Sequence, residues 1–371
     1  MRSVAVFCPN FLNYSQTFIY DELLAHRRYS AEVFAWRRRL AGLFPFPNVH
    51  IGGLRYGFTR KSRDFDAAFR SRKFDLVHAH FGTAGVYALP YAKKFGLPLV
   101  VTFHGYDVAI LRNPWKFTPP YWPCAWWGPD LLRDMTLGLC ASEDLRAMLL
   151  DMGMPAQKLT VHRLGIEVSR FSRARIPSST ARVTMVGRFV EKKGFEYGLR
   201  AFAAVAQEYD ELQLSLIGSG PLEARLRKLS NTLGIADRVH FKGVLAPSQV
   251  KAALSESDVL LAPSVVAPNG DRDSGLIVVK EASASHVVPI GTHHGGIPDI
   301  IDDGVTGYLV PETDWQAMAD RLRYLVRDPE SRQRMASAAR AKMEREYDIE
   351  YCNRALESLY DQAIANGRAL S

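Results

Sequence analysis

Cysteine is scarce. The four present, Cys8, Cys124, Cys140 and Cys352, lie far apart with no C-x-x-C pair, which excludes a zinc ribbon, a thioredoxin-type motif and a disulfide scaffold and fits a reducing compartment. Long apolar runs are missing too: none approaches the roughly 18 residues that cross a bilayer. After Met1-Arg2 only Val4-Ala-Val-Phe7 precedes Pro9, too short for the apolar core of a signal peptide. A cytoplasmic protein is expected, with any membrane contact peripheral. There is no internal repeat and no low-complexity tract. The Gly218-Ser-Gly220 turn lacks the third glycine of a nicotinamide fingerprint, so a dehydrogenase is excluded.

What is present is an ordinary globular composition: 371 residues, 47% hydrophobic and 23% charged. At about 150 residues per domain this suggests two domains. The net charge of +8 is unevenly spread, with 22 Lys and Arg against 13 Asp and Glu in residues 1–170, and 25 against 26 thereafter. The basic excess belongs to the first half and speaks to partners rather than fold. Apolar runs at Val4–Phe7, Leu76–Ala79, Leu99–Phe103 and Leu137–Ala141 read as buried strands, and five more follow at Arg182–Val186, Gln213–Ile217, Val239–Phe241, Val259–Leu261 and Val288–Ile290. Helical spacing at Glu223–Leu233, Pro247–Ser255, Ile277–Ala284 and Asp314–Val326 separates strands of the second half. Alternation of this kind predicts parallel sheets covered on both faces. The expected organisation is a first Rossmann-like domain over 1–171, a polar linker over 172–180, a second over 181–345, and a C-terminal helix over 346–371 packing back on the first. Two such domains would face each other across a cleft, with ligands at the carboxyl ends of the strands.

The second half carries glycine turns after its strands. Gly187-Arg188 follows one, with Lys193-Gly194 five residues on; the arginine fork and the lysine point charge can converge on one diphosphate. Gly218 and Gly220 allow close approach of a ligand to backbone before a helix. In Asn269-Gly-Asp-Arg-Asp273-Ser-Gly275-Leu276-Ile277, a polar loop enters a helix whose first amides, at Leu276 and Ile277, can receive phosphate. Asp273 before that helix and Glu281 on it can bracket a nucleotide-sugar. Asp271-Arg-Asp273 spells D-x-D, a metal-chelating pattern, yet the cations and helix amides already offer charge neutralisation, and no metal is expected. His78 and His80 share one strand face, with one expected to be buried and His80 to border the acceptor. His104 ends a strand, and His293-His294 reads as loop beside Gly295-Gly296.

These motifs, with Val239-His-Phe-Lys-Gly243, His294-Gly-Gly-Ile-Pro-Asp299 and Asp303-Gly-Val-Thr-Gly307 in the second half and Ser15-Gln-Thr-Phe-Ile19, His78-Ala-His80-Phe-Gly82 and Thr102-Phe-His104-Gly-Tyr-Asp107 in the first, resemble the family 4 retaining glycosyltransferases of GT-B fold, in the branch that builds bacterial exopolysaccharide and lipopolysaccharide. The resemblance covers nearly the whole chain. It implies transfer of a sugar, with retention, from a UDP- or GDP-sugar to an acceptor hydroxyl, with no required cofactor or metal. It implies that Arg188 and Lys193 grip the diphosphate, Glu281 holds the ribose, Val244 lies near the base, and Asp273 with His104 serves the reacting sugar; Ser15, Gln16, His80 and Asp107 fall on the acceptor side. One departure stands out: the family usually has Glu followed by Gly where this chain has Asp273-Ser274, drawing the carboxylate back by about 1.5 Å. A misplacement of about 1 Å can cost on the order of 10²-fold in rate. A catalytically weak sugar-nucleotide-binding protein and a GT-B sugar-nucleotide epimerase are the alternative readings.

The basic clusters Arg37-Arg-Arg39, Arg60-Lys-Ser-Arg63 and Arg70-Ser-Arg-Lys73 sit on the acceptor half. The segment between Tyr106 and Asp130 interleaves Trp115, Phe117, Tyr121, Trp122, Trp126 and Trp127 with prolines. No RNA or DNA signature accompanies them, so nucleic acid is not an expected partner. A saccharide or lipid-linked saccharide acceptor is, and the aromatic and basic residues suit an anionic membrane surface. An aromatic-lined sugar groove or plain core explains the aromatics equally well.

Overall fold

The computed structural model of the chain describes residues 1–12, 16–112, 117–118, 121–173, 180–274 and 276–369. They form two compact units: Met1–Gly165 with the chain from Ile349 on, and Ile166–Asp348.

The first unit is built on strands β1 (Arg2–Phe11), β2 (Tyr29–Arg38), β3 (Val49–Ile51), β4 (Leu76–His80), β5 (Leu99–Phe103), β6 (Leu137–Cys140) and β7 (Leu159–Val161). All pair in parallel, in the order β3-β2-β1-β4-β5-β6-β7. The second holds β8 (Arg182–Val186), β9 (Gln213–Ile217), β10 (Val239–Gly243), β11 (Val259–Ala262), β12 (Val288–Thr292) and β13 (Tyr308–Val310), again all parallel, in the order β10-β9-β8-β11-β12-β13. Central strands buried on both faces are predominantly apolar, and β4, β5, β11 and β12 are buried at every residue, His78, His80, Thr102 and Thr292 included. In each sheet the winding reverses direction once, between β1 and β4 and between β8 and β11. That switch leaves a crevice at the strands' carboxyl ends.

Each unit has its own core. In the first, Val4, Val6, Ile19, Val33, Leu76 and Val100 pack with Leu356, Tyr360 and Ile364 of the C-terminal helix. In the second, Val183, Met185, Leu214 and Leu216 pack with Phe202 and Leu322. The division falls earlier than the polar stretch 172–180 suggests: the Ile166 amide donates to the Tyr347 carbonyl at 2.9 Å, and Ile166 and Val168 are buried with Leu254, Leu260 and Tyr347. These apolar contacts outweigh the compositional break at 172. The second unit likewise runs to Asp348, past residue 345, because a π-helical turn over Met343–Tyr347 carries the buried Met343 and Tyr347 before the last helix starts.

That helix, Ile349–Ala369, is anchored to the first unit by a buried carboxylate. Glu357 accepts the backbone amides of Arg27 and Arg28, both at 2.8 Å, and lies 3.6 Å from His26. Burial alone would raise its pKa, but His26 and the two amides outweigh burial and lower it from 4.5 to about 2. A carboxyl with a depressed native pKa contributes stability that is full above its unfolded value and drains as pH falls through the native one. Glu357 should therefore hold the helix fully above pH 4.5 and progressively less toward pH 2. Melting temperatures across this window should fall less steeply for Glu357→Gln than for the wild type; parallel curves would show that the carboxylate does not anchor the helix.

Candidate active site

In the second unit, the turns after β8 and β9 lie against each other. The Gly187 amide donates to the Ile217 carbonyl at 2.9 Å, Phe189 to Ser219 at 2.9 Å, and Leu222 to Phe189 at 3.1 Å. A Cβ on Gly218, at φ +135°, would stand 1.9 Å from the Gly187 carbonyl oxygen, and one on Gly220 would stand 2.5 Å from that of Phe189. Glycine is thus required by loop-on-loop packing as well as by any ligand. Arg188 projects from this doubled turn, exposed and without an ion pair among the described residues.

The chain then makes a short 3-10 turn, Glu191–Lys193, which aims two lysines at the loop before the helix Ile277–Ala284. Lys193 Nζ lies 2.8 Å from Asp273 Oδ2. Lys192, itself buried, reaches Asp271 Oδ1 at 3.0 Å and Asp273 Oδ1 at 3.8 Å and donates to the Arg272 carbonyl. Ser264, just after β11, donates its hydroxyl to Asp273 Oδ2 at 2.9 Å. The backbone is held as firmly: the Asp273 amide donates to His294 Nε2 at 3.0 Å, and His294 Nδ1 donates in turn to Glu312 Oε1 at 2.7 Å. That pair of bonds sets the imidazole tautomer. Glu312 also accepts the Val266 amide. Burial would raise the Asp273 carboxyl, yet Lys193, then Lys192, then the hydrogen bonds outweigh it and hold its pKa below the usual range, so Asp273 is ionised at neutral pH. Both carboxylates of the D-x-D sequence are matched to lysines.

In the first unit, the carboxyl ends of β4 and β5 carry the histidines. Asp107 is fully buried and accepts the amides of Gly82 at 2.6 Å, His104 at 3.0 Å and Gly105 at 2.9 Å. It clamps the His104 turn against the start of the helix Gly82–Phe95. His104 is half-buried, with Nε2 3.3 Å from His80 Nδ1. His80 is fully buried beneath it, 3.2 Å from Glu22.

Residues 18–170 match the model of Glycosyltransferase Family 4, and residues 169–342 that of Glycosyl transferases group 1. The chain is 31% identical over 291 residues to WcaL of Salmonella typhimurium, a glycosyltransferase named for colanic acid biosynthesis, covering 77% of this chain and 70% of that one. It is 30% identical over 323 residues to the amylovoran biosynthesis glycosyltransferase AmsK of Erwinia amylovora, covering 85% and 77%. The chain belongs to the family 4 glycosyltransferases. A crystal structure of Anabaena HepE in complex with UDP matches this transferase with a TM-score of 0.81 at 17% identity, covering 98% of this chain and 100% of that one; HepE in complex with UDP-glucose matches at 0.79. The fold is the two-domain α/β GT-B fold.

The structure of this family 4 transferase brings Arg188, Lys193, Asp273 and the helix start at Leu276–Ile277 to one end of the second sheet. Leu276 is buried in the left-handed conformation, at φ +35°. Glu281 is half-buried on the same helix, and Val244 is exposed beyond β10, where the Gly243 carbonyl accepts the Gly218 amide at 2.8 Å. Gln16 lines a pocket in the first unit. Ser15 and Gly275 lie outside the described residues. Two expectations change. His80 does not border an open surface: alternation puts His78 and His80 on one face, and that face is covered by the helix Thr17–Ala25 and the C-terminal helix. Asp107 is spent on backbone amides, so it shapes the site without facing a ligand. Of Lys192, Ser264, His294, Glu312 and Glu22, which also build these sites, only His294, beside two glycines, carries a local signal in the sequence.

The Lys193–Asp273 pair is mostly buried, so removing this cation leaves the carboxylate with only Lys192 at 3.8 Å and the Ser264 hydroxyl. Lys193→Met should lower stability by about 2 kcal/mol, the range of a hydrogen bond to a charged group, and adding Asp273→Asn should recover much of the loss. A denaturation series in which Lys193→Met costs nothing would contradict the pairing.

Proposed function

We propose that this transferase moves a sugar from a UDP-linked donor, held by the second unit, to an acceptor hydroxyl with retention at the anomeric carbon. The observation that carries the reading is the convergence of Arg188, Lys193 and Asp273 at the switch between β8 and β11. The leaving diphosphate needs positive charge in place before the bond breaks. Lys193 and the amides at Leu276–Ile277 meet it from one side, and Arg188, which has no carboxylate partner among the described residues, meets it as a planar fork. Glu281 takes the ribose hydroxyls and Val244 the base. Asp273 and His104 serve the transfer step, and no metal is assigned a part in it. HepE, which has the same fold, is described with UDP and UDP-glucose, supporting UDP over GDP. WcaL and AmsK support an acceptor in bacterial surface polysaccharide synthesis.

The acceptor is assigned to an open pocket of roughly 300 Å³ in the first unit, lined by Trp36, Tyr56, Tyr87, Tyr106 and Tyr121 with Asn10 and Gln16. Among the described residues its lining contains no Lys, Arg, Asp or Glu, which suits the apolar faces of a neutral sugar ring. Outside it, Leu54, Phe58, Phe117, Trp122 and Trp126 are exposed, near Arg55, Arg60, Lys61 and Arg63; Arg60 stacks on Trp127 at 3.6 Å. Exposed aromatics among cations favour an anionic leaflet, so the acceptor is lipid-linked and the enzyme peripheral on the cytoplasmic face.

A thermal-shift screen of UDP-, GDP-, ADP- and dTDP-sugars should select UDP. Arg188→Ala, at an exposed side chain without an ion pair among the described residues, should leave the melting temperature unchanged and weaken UDP binding on the order of 10-fold to 100-fold. Equal affinity in wild type and variant would remove Arg188 from the donor site. Vesicles containing phosphatidylglycerol should sediment the wild type at low salt and retain much less of Phe58→Ser/Trp126→Ser. Binding indifferent to vesicle charge would count against membrane association.

A further inference from the structure

We propose that Glu22 and His80 form a buried relay that fixes the orientation and tautomer of His104. The inference rests on the reading that His104 serves the transfer step. Glu22 lies on the helix Thr17–Ala25, which buries its carboxylate against β4. Its Oε1 is 3.2 Å from His80 Nε2, and His80 Nδ1 is 3.3 Å from His104 Nε2. The two imidazoles are nearly parallel, at 24° with centroids 5.5 Å apart. Three side chains from three separate elements thus line up from the core to a half-buried histidine at the sheet's carboxyl edge.

A carboxylate this deep is costly unless a cation or donor meets it. Among the described residues neither Glu22 Oε1 nor His80 Nε2 has an aligned hydrogen bond; they meet each other as an ion pair at 3.2 Å, with His78 Nδ1 3.9 Å from the same oxygen. Burial would raise the Glu22 carboxyl; the contact with His80 outweighs burial and holds its pKa below the usual range. An ionised Glu22 places the His80 proton on Nε2. His80 Nδ1 is then an acceptor, and the proton of His104 is drawn to Nε2, leaving the Nδ1 lone pair toward the other edge of the ring.

His78 is the neighbour that makes the line directional. Its Nε2 bonds to Thr102 Oγ1 at 2.7 Å and its Nδ1 to the Tyr360 hydroxyl at 2.6 Å. Burial, reinforced by His80, holds its pKa well below the usual histidine value, so it stays neutral. Glu22, His78 and His80 offer ligand atoms within 4.8 Å of one another, as a metal site would, but both His78 nitrogens are occupied. The arrangement is therefore a relay made of one ion pair and one hydrogen bond, and Tyr360 on the C-terminal helix supports it through His78.

Glu22 and His80 are positioning residues, so the test needs a readout that loss of packing would not move. Long-range ¹H–¹⁵N spectra of histidine-labelled protein report the tautomer of each ring. The wild type should show His104 as the Nε2–H form, and Glu22→Gln should shift the His104 ring nitrogens while the melting temperature stays within a few degrees. A wild-type His104 in the Nδ1–H form overturns the relay whatever any variant does. Turnover with the donor selected above separates this inference from the reading it rests on. Glu22→Gln and His80→Leu should lower kcat on the order of 10-fold to 100-fold with donor KM within about twofold; His80→Asn, whose amide oxygen can replace Nδ1 as acceptor, should recover part of it. If His104→Ala leaves kcat intact, the role of His104 fails. If His104→Ala collapses kcat while Glu22→Gln and His80→Leu do not, the relay alone fails.

Discussion

The second unit is organised around one electrostatic constraint: the Asp273 carboxylate is buried and charged, and it must be met on every side. Left unmatched, such a charge costs several kcal/mol. Lys193 and Lys192 come from the turn after β8, Ser264 from the end of β11, and His294 with Glu312 from beyond β12. Four loops that are far apart in sequence are drawn to one point at the end of the sheet. A Cβ on Gly295 would stand 1.8 Å from the Asp273 carbonyl oxygen, so even the backbone there is packed to contact. The consequence for function is a division of labour among cations. On the proposed reading, Lys193 already answers a carboxylate and would share its charge with a diphosphate, whereas Arg188, without an ion pair among the described residues, would give its whole guanidinium.

The first unit solves the same problem with different means. Asp107 is satisfied almost entirely by backbone amides, which hold the ends of β4 and β5 together. Glu22 is satisfied by imidazole, which can pass a tautomeric preference along. The C-terminal helix leaves the second unit after Asp348 and supplies Glu357 and Tyr360 to the first. It is therefore part of the site's support as well as part of the core.

Much of the fold was legible in the sequence, for reasons that also explain what was not. Arg182–Val186, Gln213–Ile217, Pro247–Ser255 and Ile277–Ala284 were read to the residue because turn formers bound strong apolar patterns. The edge strands β3, β7 and β13 are three residues long, too short for any period to register. β2 begins Tyr-Ser-Ala-Glu, whose polar residues pair with Ser3 and Arg72 on its neighbours and mask the strand. In the site, the spacing of Arg188 and Lys193 was visible, since one turn carries both. The partners of Asp273 were not, since they arrive from distant loops. Alternation put His78 and His80 on one face; only the packing of two helices decides that this face is closed.

The central claim is that the β8–β11 end of the second sheet is the donor site. Hydrogen exchange of the full chain with saturating UDP tests it most directly. The account predicts slowed exchange at residues 187–193, 218–222 and 276–281. Exchange unchanged in all three segments, at a UDP concentration that raises the melting temperature, would contradict it.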